Sequence, residues 1–413
     1  MRDNEDNLPL AGITVIDYSH FLAGPHLSRS LAALGADVIK VERPSEGDAG
    51  RAHGFFKNGQ SGYFLQQNMG KRGLCVNVKD RRGLELLHRL IAGADVFVEN
   101  YRPGALDKLG LGFAELSKLN PRLVYCSVSA YGHTGPDSKN PGFGVIAEAK
   151  SGAMAQLGEA GRTPPLLRMP LADLYTGTHG VAAVCAALVG RQRTGRGRHI
   201  DLALYDCMVS MHDYAVQVYT FSDGKVLPKQ TGFDLPDSTV YGVFTAKDAH
   251  IVIAAQVDDA WKRLARLIGG EELASDARFL DPKSRNANRE AALKYVQDWV
   301  AAQPSAKACV DALSAVDVPS ALVQTIDQVI ADPQVRARNM IIEQDHPVLG
   351  RVTLPNLPYR FSDCDTTPKR PAPLLGQHNR EIASDLGYSR AEIDSMVKDG
   401  VLYAEATVSS AAP

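Results

Sequence analysis

Apolar and polar positions follow two periods over the first 130 residues. Ile13–Asp17 is an apolar, β-branched run, Pro25–Leu34 has helical spacing with proline at its first position, and Ala36–Val41 is a second strand-like run. The β-α-β pattern returns with Leu74–Val78 as strand, Asp80–Ala92 as helix with Leu84, Leu87, Leu90 and Ile91 on one face, and Asp95–Val98 as strand. Helical pieces at Ala105–Leu109 and Phe113–Leu119 lead into a strand at Leu123–Val128. This alternation predicts an α/β fold with a parallel, doubly wound sheet. Ligands of such sheets bind beyond the carboxyl ends of the strands, here Tyr18–Gly24, Arg43–Gly47 and Asn100–Gly104. None of these holds G-x-G-x-x-G, and the chain has no G-x-x-x-x-G-K-[ST], so nucleotide-loop chemistry loses its support.

Leu174–Val189 reads as a helix that is apolar nearly all round, hence buried, with Gly177 and Gly180 permitting close approach of another backbone or a ligand. The arginines from Arg191 to Arg198 around two glycines read as a solvated turn, followed by a strand at His199–Leu204. Near Ser222 the composition turns polar. Strands at Tyr241–Phe244 and His250–Ala255 and helices at Ala260–Ile268 and Arg289–Ala301 then predict a smaller α+β domain. Strands and turns over Glu343–Arg360 and helices at Asn379–Leu386 and Arg390–Asp399 close the chain, with a frayed tail after Ala404. The expected division is a large domain over 1–221, a small domain over 222–330, and a segment over 331–413 returning to the large one.

The chain has 413 residues, with 45 Lys plus Arg against 47 Asp plus Glu, a net charge of −2 that argues against nucleic acid or a membrane surface as partner. The N-terminus lacks an apolar leader core, and the longest apolar run, Val181–Val189, is too short to cross a bilayer. A cytoplasmic protein is expected. Six cysteines without a C-x-x-C pair and eleven histidines without ligand spacing predict no metal site.

Asp173 stands just before the apolar helix, three residues after Pro170, as an N-cap would. At the positive end of a buried helix a carboxylate is expected to have its pKa lowered and to be competent as a nucleophile toward a thioester. The string Pro170 to Gly177, the Ala-rich helix, and Arg193 to Leu202 resemble the nucleophile segment of family III CoA-transferases, the CaiB/BaiF family. Leu10 to Asp17 with Leu22 to Pro25, Gly35 to Pro44, Lys71 to Leu74, Val98 to Gly104, Ser129 to Pro136 and Pro373 to Asn379 agree in the same order.

The resemblance implies a Rossmann-like large domain with a smaller domain and an interlocked homodimer. It implies acyl-CoA and a small carboxylic acid as substrates, with no prosthetic group. Asp173 would be the nucleophile of an acyl-CoA:carboxylate CoA-transferase working through aspartyl anhydride and aspartyl-CoA thioester intermediates. Arg43 would meet the adenine and phosphate end of CoA, Lys79 and Lys108 the phosphates, and Val76, Asn100 and Tyr101 the nucleotide. Arg51, His53, Tyr63 and Arg168 lie in segments that could reach the acyl tail, and an arginine there would suit a dicarboxylate.

Three features depart from the pattern. Members acting on oxalate place Gln where this chain has Leu22, Gly144 stands where an acidic residue often occurs, and Thr231–Ala255 holds no glycine-rich lid. An α-methylacyl-CoA racemase-like isomerase is the alternative with the same fold, but its second base corresponds to Phe143, which cannot take a proton. A non-catalytic CoA-binding homologue, with Asp173 only a helix cap, is the other.

Overall fold

The computed structural model describes residues 7–233, 235 and 237–405. Expectations for residues 1–6 and for the tail beyond 405 lie outside the described residues. The chain divides into two compact units, one of Met1–Gly152, Leu167–Asp213 and Gln334–Pro413, the other of Ala153–Leu166 and Tyr214–Pro333. The second unit therefore begins eight residues before the composition shift at Ser222, and it also takes in Ala153–Leu166.

In chain order the first unit runs β1 (Thr14–Tyr18), α1 (Ala23–Ala33), β2 (Asp37–Glu42), the short hairpin β3 (Phe56–Lys57) and β4 (Gln60–Ser61), α2 (Gly62–Asn68), β5 (Arg72–Cys75) and α3 (Arg81–Ala92). It continues with β6 (Val96–Glu99), α4 (Phe113–Leu119), β7 (Val124–Ser129), α5 (Gly144–Lys150), α6 (Leu171–Thr194), β8 (His199–Ala203) and α7 (Leu204–Ser210). Six strands form one sheet in the order β5-β2-β1-β6-β7-β8, every pair parallel. The sequence-predicted doubly wound sheet is present. Parallel strands must be buried on both faces, and the β-branched run of β1 meets that demand: Val15 lies between Val38 and Val96, and Ile16 between Ile39 and Phe97, all buried.

The chain starts in the sheet's interior at β1, winds outward to β2 and β5, then returns to β6 on the other side of β1. The winding direction thus reverses between β1 and β6, and their carboxyl ends diverge there to leave a crevice.

Helix α6 has 24 residues, starts three residues earlier than the periodicity predicts, and ends at Gly195. Arg191 and Arg193 are thus helical, not part of a solvated turn; Arg191 is buried and bridges to Asp95 at 2.7 Å. Helix α6 packs on α1 through its glycines. A Cβ on Gly177 would lie 2.8 Å from the Ala23 carbonyl oxygen, and one on Gly180 would lie 2.2 Å from Leu27 Cδ1, so only glycine lets the two helices come this close.

The returning segment contributes an antiparallel hairpin, Ile341–His346 with Gly350–Pro355, and helices Asn379–Asp385 and Arg390–Lys398. Ile382, Ile393 and Met396 join Leu74 and Val76 in the same core, and Asn379 Oδ1 accepts from the Cys75 N–H at 2.8 Å. In the second unit an antiparallel sheet of Tyr241–Thr245, His250–Ala254 and Ser320–Leu322 carries helices around a core centred on the fully buried Trp261. Among the described residues no helix is long and apolar enough to cross a membrane.

Candidate active site

The crevice between the ends of β1 and β6 is pinned by one side chain. Asn100 accepts from the His20 N–H at 2.8 Å and donates to the His20 carbonyl at 2.7 Å, tying the two strand-end loops together. Against this tie lies a cavity of about 320 Å³ whose wall includes His20, Phe21, Asn100, Tyr101, Phe143 and Asp173. A second cavity of about 240 Å³ shares His20, Phe21 and Tyr101 with the first and reaches Arg43. Separated by these shared side chains, one cavity holds a half-buried aspartate in its wall and the other an exposed arginine, ion-paired with Glu46.

Phe21 has a left-handed backbone, φ 62°, which a bulky residue keeps only when its surroundings fix it. Its N–H donates to Asp48 Oδ1 at 2.9 Å, and its ring meets His20, His53 and Phe143 edge-on. Asp48 is itself held by a buried ion network below the cavity floor. Lys40 pairs with Asp48 at 2.7 Å and Lys71 with Asp17 at 2.8 Å; Asp17, Lys40 and Lys71 have no exposed surface. Burial opposes Asp17's charge, but the two lysines overcome it and hold the carboxyl well below the usual carboxylate range; burial pushes Lys71 down to about 8.

Asp173 does not cap α6. The N-cap position is Pro170, and Asp173 sits inside the first turn. Nor is its pKa lowered: burial, and then the nearby Glu148 carboxylate, push it up to about 6. Desolvation and a like charge set the direction here. Gly144 explains how the carboxyl fits, since a Cβ at that position would lie 2.2 Å from Asp173 Oδ2. The departure at Gly144 thus makes space for Asp173. Gly144→Ala is expected to displace the carboxylate and cut turnover on the order of 10²-fold. The thermal midpoint should stay near the parent's because alanine favours helix at this α5 position; steady-state kinetics beside a melting curve reads both.

The structure brings Arg43, Asn100, Tyr101 and Asp173 to the two cavities and leaves the other expected residues elsewhere. Val76 is 1% exposed and its side chain belongs to the hydrophobic core, so it faces neither cavity. Lys79 and Lys108 are exposed and line neither cavity. Arg51 is not free for a substrate: it grips Glu42 at 2.7 and 2.8 Å, donates to the Pro373 carbonyl, and lies 3.6 Å over the Phe64 ring. His53 packs on Phe21 and Tyr63, Tyr63 is close enough to Asp173 for its phenol to be pushed up by that charge after burial, and Arg168 is exposed. His20, Phe21 and Glu148 were not singled out from the sequence. The first two stand in the strand-end window Tyr18–Gly24 that topology marks. Among the described residues no group of three or more His, Cys, Asp or Glu could hold a metal ion.

The sequence pattern of CoA-transferase family III matches residues 10–379. The chain belongs to CoA-transferase family III. This CoA-transferase is 34% identical over 403 residues to succinyl-CoA:glutarate CoA-transferase of Mus musculus, covering 97% of this chain and 92% of that one. It is 34% identical over 386 residues to acetyl-CoA:oxalate CoA-transferase of Acetobacter aceti, covering 93% and 97%. A crystal structure of a CaiB/BaiF family protein from Brucella suis superposes with a TM-score of 0.82 at 37% identity, covering 92% of this chain and all of that one. In this family III enzyme the crevice at the winding reversal is therefore the place to seek CoA chemistry.

Proposed function

We propose that the protein moves CoA from a donor acyl-CoA to an acceptor carboxylic acid with Asp173 as nucleophile. The carrying observation is the placement of that carboxylate in the cavity at the winding reversal, next to a second cavity that shares His20, Phe21 and Tyr101 with it and reaches Arg43. CoA lies along the two cavities, its adenine and phosphates near Arg43, which can stack and pair, and its thioester beside Asp173. Asn100 and Tyr101 line the stretch between.

Asp173 attacks the thioester carbonyl, forming an aspartyl mixed anhydride and releasing CoA thiolate. The thiolate attacks the aspartyl carbonyl, giving an aspartyl-CoA thioester and the free donor acid. The acceptor carboxylate then attacks that thioester, forming a second anhydride and thiolate; attack of the thiolate on the acceptor carbonyl yields the new acyl-CoA and restores Asp173. Each step exchanges activated acyl groups of similar energy, and water must be kept from the anhydrides. The half-buried setting of Asp173 and the half-buried ring of Phe21 in the same cavity wall suit that exclusion.

Dicarboxylic acids are the substrate class we propose first, because the named relatives act on succinyl-CoA, glutarate and oxalate. The interlocked homodimer implied by the resemblance belongs to the same proposal. Against racemization stands Phe143, which has no titratable group where the racemase pattern places its second base. Incubation with succinyl-CoA and hydroxylamine, then digestion and mass spectrometry, is expected to find a hydroxamate on the peptide containing Asp173. No adduct with any donor in a broad acyl-CoA panel would favour a protein that only binds CoA.

A further inference from the structure

The structure assigns Glu148 as the positioning residue of this site: its carboxylate fixes the first turn of α6 and lays a second negative charge against Asp173. The inference rests on the reading of Asp173 as nucleophile and adds to it the group that prepares that nucleophile.

The argument begins with an unmet need. A helix leaves its first backbone N–H groups without partners inside the helix, and α6 has proline at the N-cap, which offers no side-chain acceptor. The acceptor comes from another helix: Glu148 Oε1 of α5 takes the Ala172 N–H at 3.2 Å, and Glu148 is only 2% exposed. Gly144 and Glu148 are four residues apart, so they share one face of α5. On that face the missing side chain of Gly144 leaves room for Asp173 Oδ2, and the side chain of Glu148 reaches the residue just before it. One face of α5 thus fits both the carboxyl and the turn that carries it.

A cap alone does not need a charge. A neutral oxygen would accept the same N–H, and a buried carboxylate beside another costs free energy. The charge has a use in the reaction. When Asp173 takes the acyl group, its negative charge passes to the departing thiolate. The repulsion between the two carboxylates is then relieved, favouring the acylated state over the free one.

The other groups around Asp173 do not supply this effect. Tyr63 from α2 has its phenol pushed up, His20 in the cavity wall is pushed down by burial, and His26 from α1, packed against Gly177, is pushed down to about 4; all three are neutral at pH 7. On α7, Asp206 responds to burial and Asp201. Arg102, the arginine of the cavity wall, would act in the opposite sense.

Carbodiimide coupling of glycine ethyl ester to the Asp173 peptide, quantified by mass spectrometry from pH 3 to 8, reads the acidity of Asp173 without turnover. In the unaltered protein the midpoint is expected near 6. Glu148→Gln keeps an acceptor for Ala172 and removes the charge, so its midpoint should fall by on the order of one unit. The acid limb of kcat/KM for succinyl-CoA with glutarate should move the same way, with KM for succinyl-CoA unchanged. A midpoint near 4 in the unaltered protein, or one that Glu148→Gln leaves in place, overturns the assignment. Failure of the nucleophile reading shows separately, as a missing hydroxamate at Asp173 while the coupling midpoints still differ.

Discussion

Asp173→Ala is expected to lower CoA transfer by roughly 10⁴- to 10⁶-fold, the loss typical of removing a covalent nucleophile. Affinity for CoA should change little, because Arg43, Asn100 and Tyr101 are untouched; isothermal titration with CoA beside a transfer assay separates the two. Turnover within tenfold of the parent would exclude the covalent role. Stability should move the other way. The folded carboxyl titrates near 6 instead of the ordinary 3.8, because burial and Glu148 penalise its charge. Below about pH 4 it is protonated in both folded and unfolded chains and no penalty acts. As pH rises through 6 the folded protein must carry the charge, at a cost on the order of 3 kcal/mol. Asp173→Asn should therefore melt above the parent at pH 8 and close to it at pH 3.5. A site that gains stability on losing its function is one whose charge is maintained for chemistry.

The same residue shows how far the sequence could be read. The strand-end windows were legible, because β-branched runs alternating with helical spacing leave few topologies, and His20, Asn100 and Asp48 all sit at or near those strand ends. Motif order singles out Asp173, but its environment was not legible. Spacing places it at a helix start, where a dipole lowers acidity, whereas Glu148 is 24 residues from its partner Ala172 and meets it only once α5 and α6 pack. The burial of Val76 and the exposure of Lys79 were not legible for a related reason. Both follow β5, but the chain turns there so that Val76 pairs with Leu402 and enters the core while Lys79 faces solvent. Motif resemblance does not specify which way a side chain points after a strand. Arg51 was likewise an available cation in sequence, and only the fold brings Glu42 against it.

Asp17→Asn is expected to have the largest effect on stability, about 3 to 5 kcal/mol, because it takes from the buried Lys71 the acid that pairs with it and leaves the buried Lys40 only Asp48 at ion-pair distance. Asp17 also accepts from Ser28 Oγ at 2.7 Å and from both the N–H and hydroxyl of Ser19, the residue that leads into His20 and Phe21. Losing it loosens the strand-end loop in the cavity wall, so KM for the CoA donor should rise in any variant that still folds. The pH dependence has a definite sign. Asp17 is held below the usual carboxylate range by its lysines, so its contribution is present above about pH 4 and lost as acid protonates it. The parent's urea midpoint should fall over that range more steeply than the variant's. Adding Lys71→Met removes one stranded cation and its need for a counter-charge. Asp17→Asn/Lys71→Met should thus lose less stability than the two single changes added together, whereas strict additivity would mean that the pair is not coupled through the fold.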